Sequence, residues 1–310
     1  MTAARQLGIA CALLSALGGF AAQAAAKEPL VLQPASQWVL DYADDSCRMA
    51  RTFGEGEEKT IFILERYEPG DRFSLIVGGD PLKAQLYTDT AFRFGPDGYE
   101  EEGAFRTGEM GEYSPIVLGS GLFLAAPPDL GEGGGAEARD ADAGASDAGT
   151  TSVFDQAIAF EQEAAITWLE IQRGKRRPVR LALGSMGPPM AAMRKCTEEL
   201  LTHWGIDLES HRALTRKARP KGNPGHWVVS RDYPGDLASK GVEGLVHFRL
   251  SISAEGVPTD CHIQRSIRPR DFDEAVCNAL MRRARFEPAL DSQSRPVASY
   301  WRSTVNFLVP

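Results

Sequence analysis

The last eighty or so residues constrain this chain more tightly than any other stretch. From Glu243 to Ser253, Val246, Phe248, Leu250 and Ile252 recur at every second position. That period of two describes a half-buried β-strand. Glu255-Gly256 interrupts the pattern as a turn, and a second extended run follows from Val257 to Ser266. There Val257, Thr259, Cys261 and Ile263 are expected to share the inward face. The period then changes. Phe272, Val276, Ala279 and Leu280 fall at helical intervals on one side of an amphipathic segment, with Phe286 just beyond its end and Pro288 behind it. A final run carries Val297, Tyr300, Trp301, Val305 and Phe307. A unit of this size has little core to spare.

Tyr233-Pro234 leads into this series. The order of Tyr-Pro, strand, Gly turn, strand, helix, aromatic-x-Pro and strand resembles the C-terminal domain of TonB-family proteins over residues 227–309, which sets a domain at 227–310. No single piece is specific; order, spacing and position carry the likeness together. The resemblance implies a small ββαβ domain that binds a periplasmic peptide segment of an outer-membrane transporter or other envelope protein. In that mode the peptide adds a strand to the last strand of the sheet, and backbone pairing supplies much of the affinity. By position that edge is Val297 to Phe307, which nominates Val297, Tyr300, Trp301, Arg302, Val305 and Phe307, with Tyr233 and Pro234 from the leading motif. Tyr300 or Trp301 would offer an aromatic contact, and Arg302 and Arg295 an attraction for acidic peptide. All of these also suit a packing role, and charge on an exposed edge also guards against aggregation.

The likeness has departures. An energy transducer needs a retained membrane anchor and a long Pro-rich spacer, and this chain has no Glu-Pro or Lys-Pro repeats. The stretch 208–226 reads as a basic linker that spans at most roughly 70 Å when extended. The resemblance therefore implies fold and peptide binding more than energy transduction, with a membrane-anchored transducer for TonB-dependent transport as the alternative.

The start of the chain bears on that choice. Arg5 is the sole charge before Lys27, Leu7 to Phe20 is apolar, and Ala22-Gln23-Ala24 offers a small-residue cleavage site. Residues 1–24 are read as a signal peptide and the protein as periplasmic, with an inner-membrane anchor as the rival. Only ten residues precede Cys11, too few for a lipoprotein signal.

The expected fold class is α+β. An antiparallel β-rich domain over 34–207 with one C-terminal helix precedes the small ββαβ domain. Its strands are read at Trp38–Tyr42, Thr60–Leu64, Phe73–Val77 and Val179–Leu183. Ala157 to Leu169 reads as a strand yielding to a helix. The firmest helix is Met190 to Gly205, with Met193, Cys196, Leu200 and Trp204 on one face. Residues 127–151, rich in Gly, Ala and Asp, are expected to form a disordered acidic loop. Charge separates the two regions. Arg216 onward carries 15 basic and 10 acidic residues, whereas the preceding part carries 19 and 32. The overall net charge of −8 argues against a nucleic-acid partner.

Beyond Cys11, the chain carries Cys47, Cys196, Cys261 and Cys277, an even set that in an exported chain reads as two disulfides. Of three pairings, Cys47–Cys196 and Cys261–Cys277 keep each bond within one domain. No C-x-x-C spacing or histidine interval points to a metal, and no cofactor is expected. Thr88-Asp89-Thr90-Ala91 is the best fragment for an enzyme, because aspartic peptidases place Asp-Thr-Ala after an apolar strand. No second copy is visible, and activity would require a dimer. A non-enzymatic binding protein is the reading adopted, and assembly into a homodimer stays open.

Overall fold

A computed structural model describes residues 27–85, 88–97, 99–102, 105–125, 158–267 and 269–308. The expected signal peptide and acidic loop lie outside these residues.

The first domain is a two-sheet sandwich built around one core. Its elements are β1 (Leu30–Leu32), β2 (Val39–Tyr42), β3 (Cys47–Phe53), β4 (Thr60–Arg66), β5 (Phe73–Gly79), β6 (Thr90–Gly95), β7 (Tyr99–Glu102), β8 (Arg106–Gly108), β9 (Ile116–Leu122), α1 (Phe160–Ala165), β10 (Trp168–Arg173), β11 (Val179–Ala182) and α2 (Gly187–His203). One sheet runs β1-β11-β10-β6-β7 and the other β2-β3-β4-β5-β9-β8. Alternation along the strands sends Phe62, Leu64, Phe92, Phe94, Leu169 and Leu181 into a shared interior. Helix α2 adds Met190, Met193, Cys196 and Leu200 to the same core.

Three details differ from the sequence reading. The sandwich begins before residue 34, because β1 pairs in parallel with β11, Leu30 opposite Val179. Near Leu169 the order is reversed: α1 comes first and yields to β10, since Leu169 and Ile171 must alternate into the core while α1 caps the approach. Helix α2 starts earlier, at Gly187, because Pro188 and Pro189 occupy its first turn, where proline costs no hydrogen bond.

The stretch 208–226 is structured. It carries α3 (Leu208–Arg212) and β12 (Arg219–Pro220), and Leu214 and Ala218 enter the second core. Backbone bonds from Arg216 to Leu290, in both directions, and from the Lys221 amide to the Arg285 carbonyl fasten it to the C-terminal domain.

That domain comprises α4 (Gly235–Ser239), β13 (Gly244–Ile252), β14 (Pro258–Ile267), α5 (Asp271–Arg283), β15 (Phe286–Glu287), β16 (Ala289–Leu290), β17 (Pro296–Val297) and β18 (Ser299–Phe307). Its antiparallel sheet has the order β14-β13-β18, so the longest strands flank β13. Val246, Phe248, Leu250 and Ile252 pack beneath Phe272, Val276 and Leu280 of α5. The second strand does not alternate as expected. Register shifts in the β13–β14 pairing place Ile252 opposite Pro258 and Leu250 opposite Cys261, which leaves Val257 and Thr259 exposed. Gly256 turns between the strands with φ of 77°, and its carbonyl accepts the amide of Phe286.

Both disulfides are formed. Cys47–Cys196 ties β3 to α2 inside the first core, and Cys261–Cys277 ties β14 to α5.

Candidate functional site

A three-stranded sheet has two edges and two faces, and their occupancy decides what this domain has left to offer. One face lies under α5. The opposite face is built by residues one step out of phase: His247 and Arg249 on β13, His262 on β14, and Tyr300 and Arg302 on β18. His247 pairs with Thr304, and the others meet the first domain or the 208–226 stretch. His262 Nε2 lies 2.6 Å from Asp45 Oδ2. Arg265 reaches Glu65 at 3.8 Å, and Arg302 Nη1 donates to Glu68 Oε1 at 3.0 Å while lying over the Tyr67 ring. Arg249 stacks its guanidinium 4.4 Å from the Trp204 ring centre, and Tyr300 packs edge-on to Trp204 and face-on to His211. The acidic first region and the basic last region seen in the sequence thus meet through named pairs.

Burial sharpens these contacts. Glu68 is opposed by burial, but the cations Arg302 and Lys217 and hydrogen bonds from Tyr300 and Arg302 outweigh it, so its carboxyl is held below the usual range. Burial raises the Tyr300 hydroxyl well above its ordinary value, and Glu68 adds to the effect. Burial, with Lys217 nearby, pushes the His211 imidazole down to about 4, against an opposing pull from Glu68. Glu65, almost fully enclosed, keeps its charge because Arg48 and Ser46 hydrogen-bond it against the burial penalty. A cleft of about 350 Å³ beside it is lined by Asp45, Arg48, Ile63, Met110 and Arg265. Its two guanidiniums both converge on Glu65.

Neither outer strand has a further strand partner among the described residues. Gln264 of β14 reaches the first domain with its side chain, whose Nε2 donates to the Asp45 carbonyl at 3.4 Å. Strand β18 pairs along its whole length with β13, from Ser299 opposite Ile252 to Phe307 opposite Gly244. Among the described residues no strand pairs with its other side. About half of its backbone N–H and C=O groups face away from β13, which is what strand addition requires.

The expected site residues fall into three groups. Trp301 packs against Trp227, Phe248 and Phe286, and Val305 and Phe307 join the same core, so these side chains hold the strand in place. Tyr300 and Arg302 face the first domain. Tyr233 donates its hydroxyl to the Val242 carbonyl at 2.7 Å and packs edge-on to Phe272 and Phe307, while Pro234 precedes α4. Val297 lies outside the last strand: β17 pairs it with Ala289 in a short hairpin closed by Asp291, which also binds Arg295. The β18 edge therefore offers backbone, while Glu68 of the first domain meets the side chains of Arg302 and Tyr300 on the face. Sequence reasoning missed Glu68, Tyr67, Trp204 and His211. The visible signal was the pairing of Arg and Tyr on the outward face of β13 and β18, where a solvated face would carry Lys and Glu. Asp89, of the Asp-Thr-Ala fragment, is exposed, and its carbonyl accepts the Gly174 amide.

Residues 229–308 match the family described as Gram-negative bacterial TonB protein C-terminal. No curated protein matches the chain. The C-terminal unit is a TonB C-terminal domain, which ties the protein to the Gram-negative envelope and to a family of non-enzymatic transducing and binding domains.

Proposed function

We propose that this protein is exported to the periplasm and binds an extended peptide segment of an outer-membrane transporter or other envelope protein by strand addition to β18. The observation that carries this reading is the nine-residue strand β18, which has β13 on one side and no strand partner on the other among the described residues. Its apolar side chains are anchored in the core, so the edge is rigid before any peptide arrives, and little ordering cost falls on the protein. Affinity then comes from the backbone ladder, with side chains of the bound strand alternating between the α5 side and the first-domain side.

The test is an NMR titration of the full chain with periplasmic plug-end peptides of outer-membrane transporters. Amide shifts concentrated on Ser299–Phe307 are expected. Shifts confined to β14, or none at millimolar peptide, would remove strand addition at this edge.

A further inference from the structure

We infer that the end of the C-terminal domain where the 208–226 stretch meets the last turn of α5 is a docking surface for an anionic phospholipid bilayer. This holds whether or not a peptide adds to β18.

The sequence divides the basic residues concerned between two distant stretches, Arg216 to Lys221 and Arg282 to Arg285. Folding joins them. Strand β12 pairs with β15, setting Arg219 opposite Glu287, and the Lys221 amide donates to the Arg285 carbonyl at 2.8 Å. From the helix, Arg283 Nε donates to the Trp227 carbonyl at 2.6 Å, and Arg282 and Arg283 both reach Asp232. Each carboxylate here serves more than one cation. Arg219 binds Glu287 at 2.7 Å, and Arg216 approaches it at 3.7 Å. Arg219, by hydrogen bond and charge, then Arg216 and Lys221 hold the Glu287 carboxyl below its usual range, which places Lys221 in the same neighbourhood. Glu255 lies in the turn that meets β15 through the bond between Gly256 and Phe286. With it included, six basic residues stand against three carboxylates, a local balance of +3 in a chain of −8.

These charges are presented outward from paired backbone. The side chain of Arg282 is 61 % exposed and that of Arg219 40 %, and Lys221 and Arg285 are exposed as well. A planar guanidinium matches two phosphate oxygens at once, so arginines suit phosphate-bearing headgroups. Among the described residues, the large apolar side chains exposed near this end are Met281 and Val257. Two such residues are too few for the apolar centre that a protein interface needs, whereas attraction to a charged bilayer requires none. At about 0.1 M salt, charges more than about 10 Å apart are largely screened, so remote acids of the first domain do not cancel a local attraction.

The experiment is co-sedimentation with vesicles of phosphatidylglycerol or of phosphatidylcholine. It uses the chain without residues 1–24, whose apolar run would itself enter lipid. At about 0.1 M salt the protein should pellet with phosphatidylglycerol alone, and at about 1 M, where the screening length is about 3 Å, it should stay in solution. Each basic residue near such a surface is worth about fivefold in partitioning, so Lys221→Gln with Arg285→Gln should weaken binding by about 25-fold. Lys83→Gln with Lys195→Gln, an equal change of net charge at exposed sites of the first domain, should leave it unaltered. Equal pelleting with both lipids, persistence at about 1 M salt, or equal losses in the two double variants would overturn the proposal. Capture on immobilised poly-aspartate without pelleting on phosphatidylglycerol would also overturn it, and would assign this end to an acidic protein. No peptide enters these measurements, so their failure leaves strand addition at β18 standing, and the reverse also holds.

Discussion

Replacing His211 by Phe is expected to make the protein more tolerant of acid. His211 lies in α3, 3 % exposed, stacked on Tyr300 of β18 with Lys217 and Glu68 nearby. Burial and Lys217 bring its imidazole down to about 4, whereas an unfolded chain titrates near 6.5. The folded state therefore binds fewer protons than the unfolded state between these values. Its stability is intact above about pH 6.5 and falls progressively as pH drops toward 4. Linkage sets the loss at about 2 kcal/mol at pH 5, rising toward about 3 kcal/mol below pH 4. Phe keeps a flat ring against Tyr300 and removes the titration. Urea unfolding of both proteins at about pH 7.5 and about pH 5 gives the comparison. Glu68, whose charge acts on His211, is present in both proteins. The wild type should lose about 2 kcal/mol more than His211→Phe over this interval. Equal losses would refute the reasoning, because they would show that a charged imidazole is accommodated at the junction without cost.

Two further outcomes follow from local geometry. Gly256→Ala should destabilise the C-terminal domain by more than about 1 kcal/mol in thermal melts, since a Cβ would sit at φ of 77° and 2.0 Å from the Phe286 carbonyl oxygen. A change within a few tenths would mean that the turn relaxes freely. Graded reductant followed by alkylation and mass spectrometry should open Cys261–Cys277 before Cys47–Cys196, because the first pair is partly exposed and the second fully enclosed. In the chain-entropy account the protected bond, closing 149 residues, contributes about 5 kcal/mol, and the accessible one, closing 16, about 3 kcal/mol.

What could be read from the sequence was whatever depends on local period. Val246, Phe248, Leu250 and Ile252 announce a strand with one wet and one dry side, and Phe272 to Leu280 a helix to cover it, because each pattern needs only nearest neighbours along the chain. The bulges in β14 left no such trace: Thr259 occupies a position that simple alternation assigns to the interior. Neither did the junction between the domains. A charge imbalance predicts attraction between two regions, but the meeting of Glu68 with Arg302 joins residues more than two hundred positions apart. Tyr300 illustrates the limit. Strand position nominated it for a partner, yet a strand's two faces have different neighbours, and only the packing of His211 and Trp204 shows that its face is taken.

The parallel pairing of Leu30–Leu32 with Val179–Leu181 has a bearing on the order of assembly. Neighbouring strands such as β3, β4 and β5 can zip together as soon as they exist. The edge strand β1 must wait until some 150 further residues have emerged, which is also the span enclosed by the Cys47–Cys196 bond. Long loop closures are slow to pay back their entropy, so the sandwich is the late-forming part of the molecule, and its first strand the last to find its seat. The strands and helix of the C-terminal domain, by contrast, complete their sheet within about seventy consecutive residues. In a chain that emerges from its N-terminus, the half made first would finish last, and a helper that shields Leu30–Leu32 would act on the step with the longest wait.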